Sequence, residues 1–95
     1  MDERLMYEHF VPHIGKRFGF QGVTLLLAAV DVQQRFAAPG ATRVPFTLIF
    51  EGPAGAILPA GPYLAAIEDG PVCTLHILPI HTPGHDRQDY QAVFN

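Results

Sequence analysis

Serine and tryptophan are absent from this 95-residue chain, and cysteine occurs once, at Cys73. Without serine there is no hydroxyl nucleophile of the triad kind. A single cysteine cannot form an internal disulfide, so the fold does not depend on an oxidising compartment. Basic residues are few: six Lys and Arg against nine Asp and Glu leave a net charge of −3. Nucleic-acid binding needs a basic footprint, which this balance excludes. The one adjacent basic pair that faintly resembles a stacking platform, Lys16-Arg17 before Phe18 and Phe20, reads as a solvated strand start followed by core aromatics. Long apolar runs are also missing. The longest, Val23 to Val30, falls far short of the ~20 residues of a membrane helix. The opening Met1-Asp2-Glu3-Arg4 is charged and no apolar core of a signal peptide follows it. The expectation is a soluble cytoplasmic chain, open to incorporation into a larger assembly.

Turn chemistry, in contrast, is abundant. Pro39-Gly40, Gly52-Pro53, Pro59-Ala60-Gly61-Pro62, Gly70-Pro71 and Pro83-Gly84 punctuate short apolar-alternating segments. Proline lacks a ladder donor and glycine reaches positive φ, so such pairs end strands and reverse the chain. Strands at spacings of roughly 8–12 residues predict an all-β sandwich or barrel. We expect six to seven mainly antiparallel strands in one domain over residues 1–95, with a short N-terminal helix or arm. The hydrophobic share of 48% is ample for a packed interior. A chain this small buries only about 60–65% of its unfolded surface, so part of that apolar content is left for self-association or a partner.

Along the chain, Asp2 can cap a helix from Glu3 toward Phe10, with Leu5, Met6, His9 and Phe10 as its docking stripe and Pro12 and Gly15 as its stop. Phe18-Gly19-Phe20 begins strand character. Val23–Val32 divides into two apolar faces, Val23, Leu25, Leu27, Ala29 and Leu26, Ala28, Val30, which predicts a central strand buried on both sides. A buried helix shares this pattern, and Gly22 and the strands that follow favour β. Arg43–Glu51 is the clearest strand, with Val44, Phe46, Leu48 and Phe50 on one face and Pro45 placing its start at an edge or bulge. A long turn over Gly52–Pro62 precedes strands at Tyr63–Glu68, Val72–Ile80 and Tyr90–Phe94, with Asp69-Gly70 as a hairpin signal and His81–Asp89 as a polar loop.

The sharpest chemical constellation is His76-Ile-Leu-Pro-Ile-His81-Thr-Pro-Gly-His85-Asp86. Three imidazoles and a carboxylate are zinc-ligand types. His81-Thr-Pro-Gly-His85 also looks like a ligand loop of metallo-β-lactamase-type hydrolases, but the second cluster those enzymes need is missing and the chain is too short. Pro83-Gly84 breaks the helix on which His81 and His85 would converge, so the plainer reading is one half-buried strand histidine and two loop histidines. Cys73 and His76 stand three apart in one strand and point to opposite faces, which excludes a nucleophile pair; Cys73 reads as a small buried hydrophobe. Glu68-Asp69 and Glu51 fall at predicted turns and form no acid/base pair. Gly15-Lys16-Arg17 lacks the spacing of a phosphate loop. Most of the aromatics fit core positions; Phe36, in the long loop over Gln33–Thr42, is the candidate for a partner contact.

Three segments carry a family resemblance: Pro45-Phe46-Thr47-Leu48-Ile49-Phe50-Glu51-Gly52-Pro53, Leu58-Pro59-Ala60-Gly61-Pro62-Tyr63 and Tyr90-Gln91-Ala92-Val93-Phe94-Asn95. Together with Phe10-Val-Pro12-His-Ile-Gly15-Lys-Arg-Phe18 they resemble a family of short bacterial all-β domains of unknown function that end in Tyr-x-Ala-Val-Phe-Asn. The resemblance implies a role, at most, in the assembly of a tail-like or surface appendage, and supplies no activity. His76 is a departure, at a position where the family favours an aromatic. The expected function is therefore non-enzymatic: a structural or protein-interaction module without cofactor, nucleic-acid partner or membrane span, acting by edge-strand pairing or burial of an apolar face. The alternative is a metal-binding or small-ligand-binding domain that uses His76, His81 and His85. A sugar- or lipid-binding barrel would need an interior cavity, and the bulky Phe and Leu content argues for a filled interior.

Overall fold

Gln21 and Gly22 both take positive φ, 48° and 84°, the backbone of a type I′ turn, and Phe20 and Val23 on either side pair directly. This hairpin joins β1 (Arg17–Phe20) to β2 (Val23–Val32) in the computed structural model, which describes residues 6–32, 44–55, 57–80 and 86–94. β3 (Phe46–Pro53), β4 (Gly61–Ile67), β5 (Val72–Ile80) and β6 (Arg87–Phe94) follow. All neighbours are antiparallel, in the order β1-β2-β3-β6-β5-β4, and β4 returns to β1 through Phe18↔Ile67 and Phe20↔Ala65. The sheet is thus a closed barrel, as the turn rhythm predicts for one of its two architectures.

Closure requires each strand to alternate inward and outward. Phe18 and Phe20 of β1, Leu25 and Leu27 of β2, Phe46, Leu48 and Phe50 of β3, Ala65 of β4, Ile77 of β5 and Tyr90 of β6 are fully buried. Rings fill the interior: Phe50 meets Phe18 at 5.1 Å and Phe20 at 5.5 Å edge-on, and Phe20 meets Tyr63 at 6.1 Å. Such offset geometries suit the aromatic quadrupole.

Val23–Val32 is a strand, but it is not buried on both sides. Thr24, Leu26, Ala29 and Asp31 are exposed. The register slips between Leu27, opposite Phe50, and Ala29, opposite Ile49, so Ala28 is the extra residue of a β-bulge. The bulge inverts the alternation and turns Val30 and Val32 toward Leu48 and Phe46. A closed sheet has one interior, so an apolar outer face on β2 meets solvent.

Other boundaries shift for local reasons. Gly52-Pro53 continues β3, opposite Gln88 and Arg87, instead of opening a turn. A Cβ at Gly52 would overlap the Leu25 side chain, so glycine is what lets Leu25 lie against the strand. β6 accordingly starts at Arg87, within the expected polar loop. β3 begins after Pro45 and lies between β2 and β6, not at an edge.

Both ends of the barrel are plugged. At one end the expected short N-terminal helix is present in 3₁₀ form, at Tyr7–His9 and Val11–His13; its expected start at Asp2 and Glu3 lies outside the described residues. Pro12 sits in the first half of the second turn, where no intrahelical N–H is required, and therefore does not stop it. Phe10 drops into the opening, 5.9 Å from Phe46 and 5.8 Å from Phe94, which themselves stack at 4.5 Å. Gly15 N–H donates to the Leu27 carbonyl and ties this segment to β2. At the other end Leu58 is buried and its N–H donates to the Tyr90 hydroxyl at 3.0 Å, while the Tyr63 hydroxyl donates to the Pro59 carbonyl at 2.7 Å.

Candidate interaction surface

Of the sequence-predicted site residues, His76 lies within the described residues, whereas Phe36, His81 and His85 lie outside them. His76 is fully in β5 but exposed on its outer face, not half-buried, because Leu75 and Ile77 take the inward positions. Cys73 faces the opposite way and packs against the core. Burial pushes its thiol above the ordinary range, which disfavours the thiolate. Among the described residues no three His, Cys, Asp or Glu side chains gather as metal ligands.

The carboxylates are engaged structurally. Glu68 Oε1 accepts from the Arg17 N–H at 3.2 Å. Glu51 belongs to β3, not to a turn, and stands 3.8 Å from Arg87, which also donates to Asp89 at 2.9 Å. These carboxylates raise the Arg87 guanidinium above its ordinary value, the Asp89 hydrogen bond contributing most.

Charge is unevenly spread over the outside of the barrel. Arg17, Leu26, Glu51 and Asp89 form one rung across β1, β2, β3 and β6, so that side carries charges of both signs. The outward positions of β4 and β5, Pro62 to Ala66 and Val72 to Leu78, include no Asp, Glu, Lys or Arg. Large apolar side chains stand free there and on the neighbouring strand: Leu64 is 67% exposed, Val72 57%, Val93 52% and Leu78 46%.

This face also has relief. The β5–β6 ladder runs from Ile80↔Asp89 to Leu78↔Gln91 and stops. Pro79, which has no N–H to donate, is the middle rung of that short run. No rung joins β5 to β6 past Leu78↔Gln91, and a groove of about 300 Å³ opens on the outer surface between His76, Leu78, Gln91 and Val93. Leu64 projects from β4 beside it, paired with Thr74, two residues before His76.

Sequence reasoning predicts an excess of apolar surface but places none of it on β4 or β5. The signal was in β4, where Tyr63, Ala65, Ile67 and the alternate Pro62, Leu64, Ala66 are both uncharged. In a chain with material for one core, one of those sets faces outward.

Fold and surface together define a small, closed, six-stranded antiparallel barrel, stoppered at both ends, with one uncharged apolar flank. The chain belongs to the family described as Domain of unknown function (DUF6916), whose model matches residues 5–94. No curated protein and no solved structure matches it. No helix among the described residues is long and apolar enough to cross a membrane.

Proposed function

We propose that this domain is a non-enzymatic structural or protein-interaction module that works through the outer face of β4, β5 and β6. The observation that carries the reading is the flank of β4 and β5, whose outward positions hold no Asp, Glu, Lys or Arg, with Leu64 and Leu78 in the open and Val93 exposed beside them on β6. Each apolar Å² removed from water contributes about 25 cal/mol, and contiguous exposed apolar patches mark interaction sites. The mechanism is burial of this face: each of the six strands has a neighbour on both sides, so none stands at the end of an open sheet, and the gap in the ladder between β5 and β6 lies beneath the same apolar side chains. The ring-filled interior supports this over a binding barrel. A bacterial tail-like or surface assembly is the setting that the family resemblance implies.

A photo-crosslinking side chain placed at Leu78 in living cells tests the reading. Discrete protein adducts are expected from Leu78 and none from Thr24, an outward position on β2. Equal labelling from both positions, or a catalytic turnover that vanishes when His81 or His85 is replaced, overturns it.

A further inference from the structure

We infer that the occupant of this flank is a second copy of the same chain, packed face to face about a two-fold axis. The inference rests on the interaction reading above and names its partner.

Two observations carry it. The first is shape. The flank holds a projecting side chain, Leu64, and a groove of about 300 Å³ between β5 and β6, and they lie next to each other with β5 in between. A two-fold axis in the plane of contact, running over β5 between knob and groove, brings Leu64 of each copy opposite the groove of the other. An isologous contact of this kind is satisfied twice by one complementary pair.

The second is charge. The chain carries −3 overall, and two copies avoid like-charge contact where they meet over a surface without charge. The β4–β5 outer face is such a place, whereas the opposite side carries Arg17, Glu51 and Asp89 in one rung, charged groups that lose water when two copies meet there. Charges lie at the borders of the flank, with Glu68 and Asp69 after β4 and Arg87 and Asp89 at the start of β6. An apolar centre with a charged border is the anatomy of a protein interface.

Size sets the strength. Three strands about 4.8 Å apart and some six residues long at about 3.4 Å each project roughly 300 Å², well below the ~800 Å² per partner of a standard interface. The dimer is therefore weak and exchanges with monomer at micromolar to millimolar concentration.

Sedimentation over a concentration series reads this directly. Wild-type mass is expected to rise from monomer toward dimer. Leu64→Asp and Val93→Asp should each weaken association at least about tenfold with an unchanged melting temperature, and Thr24→Asp on β2 should leave it unaltered. A Cys73→Ala chain with Leu64→Cys and Val93→Cys gives a sharper test. Those positions are two strands apart within a chain, roughly 10 Å, beyond disulfide reach, so oxidation should yield a covalent dimer. A wild type that stays monomeric to millimolar concentration, or association indifferent to Leu64→Asp, overturns the second-copy assignment. Adducts from Leu78 to a different protein would then leave the interaction reading standing, and absence of any adduct would remove both.

Discussion

The Tyr90 hydroxyl, at the end of a fully buried ring, accepts a hydrogen bond of 3.0 Å from the Leu58 N–H across a sequence separation of 32 residues. It fastens the loop after β3 to the start of β6 and closes that end of the barrel. Tyr90→Phe keeps the ring and leaves the Leu58 N–H unpaired in a dry site. The expected loss is about 1–3 kcal/mol, and each kcal/mol lowers the melting point of a domain this size by about 4–8 °C. Calorimetry on the variant checks it, and hydrogen exchange should show the Leu58 amide gaining the most.

Phe10 plays the corresponding part at the other end. Phe10→Ala removes a fully buried ring that touches both Phe46 and Phe94. A cost of about 3–5 kcal/mol is expected for a large aromatic truncation. Exchange should quicken at the Phe46 and Phe94 ends of β3 and β6 while the Phe20–Val23 hairpin stays protected.

Gly52 and Leu25 form a tightly coupled pair. A methyl group at Gly52 would overlap Leu25 and press on the Tyr90 ring at 3.4 Å. Gly52→Ala is expected to cost about 1–3 kcal/mol through overpacking. Leu25→Ala alone should cost about 2–5 kcal/mol by opening a cavity. Because the added methyl fills part of that space, the double variant should be more stable than the sum of the singles predicts, and denaturant titrations of all four proteins measure the coupling.

Gln21 occupies a left-handed turn position, φ 48°, that Asn and Gly adopt more readily. Gln21→Asn creates an Asn-Gly type I′ turn and should raise stability by roughly 0.5–1 kcal/mol. Its melting temperature should rise by a few degrees with no change in the circular dichroism of the folded protein.

Burial raises the Cys73 thiol above its ordinary value, and the sign of the pH effect follows. Above the ordinary range the unfolded chain releases this proton while the folded chain still holds it. Stability is therefore full below that range and declines as pH rises through the raised value. Cys73→Ala removes this contribution, so the wild-type-minus-variant stability difference should shrink as pH rises above the ordinary thiol range in urea titrations. Alkylation of native Cys73 at neutral pH should also be slower than in the unfolded chain.

Alternation alone made most of the barrel legible. Phe18/Phe20, Phe46/Leu48/Phe50 and Tyr90/Ala92 each repeat at period two and all point inward. Val72–Ile80 was readable to its ends because Gly70-Pro71 and the run to His81 bracket it. Residue types at Cys73 and His76 were also enough to show that they face apart, since strand geometry admits nothing else. The N-terminal segment was less readable, because 3₁₀ turns carry little periodicity and Pro12 is a stop or a start depending on its place in the turn.

What the sequence determined by itself was local: strand identity, the inward set of side chains, and the absence of basic or disulfide chemistry. These depend on φ/ψ preference and two-residue periodicity, which act between near neighbours. The tertiary structure alone decided that the sheet closes, that Ala28 is a bulge, that Gly52 makes room for Leu25, and that Leu64 and the His76–Val93 groove share one uncharged flank. Those outcomes depend on which strands lie side by side and in which register, and register is set by packing contacts between residues far apart in the chain.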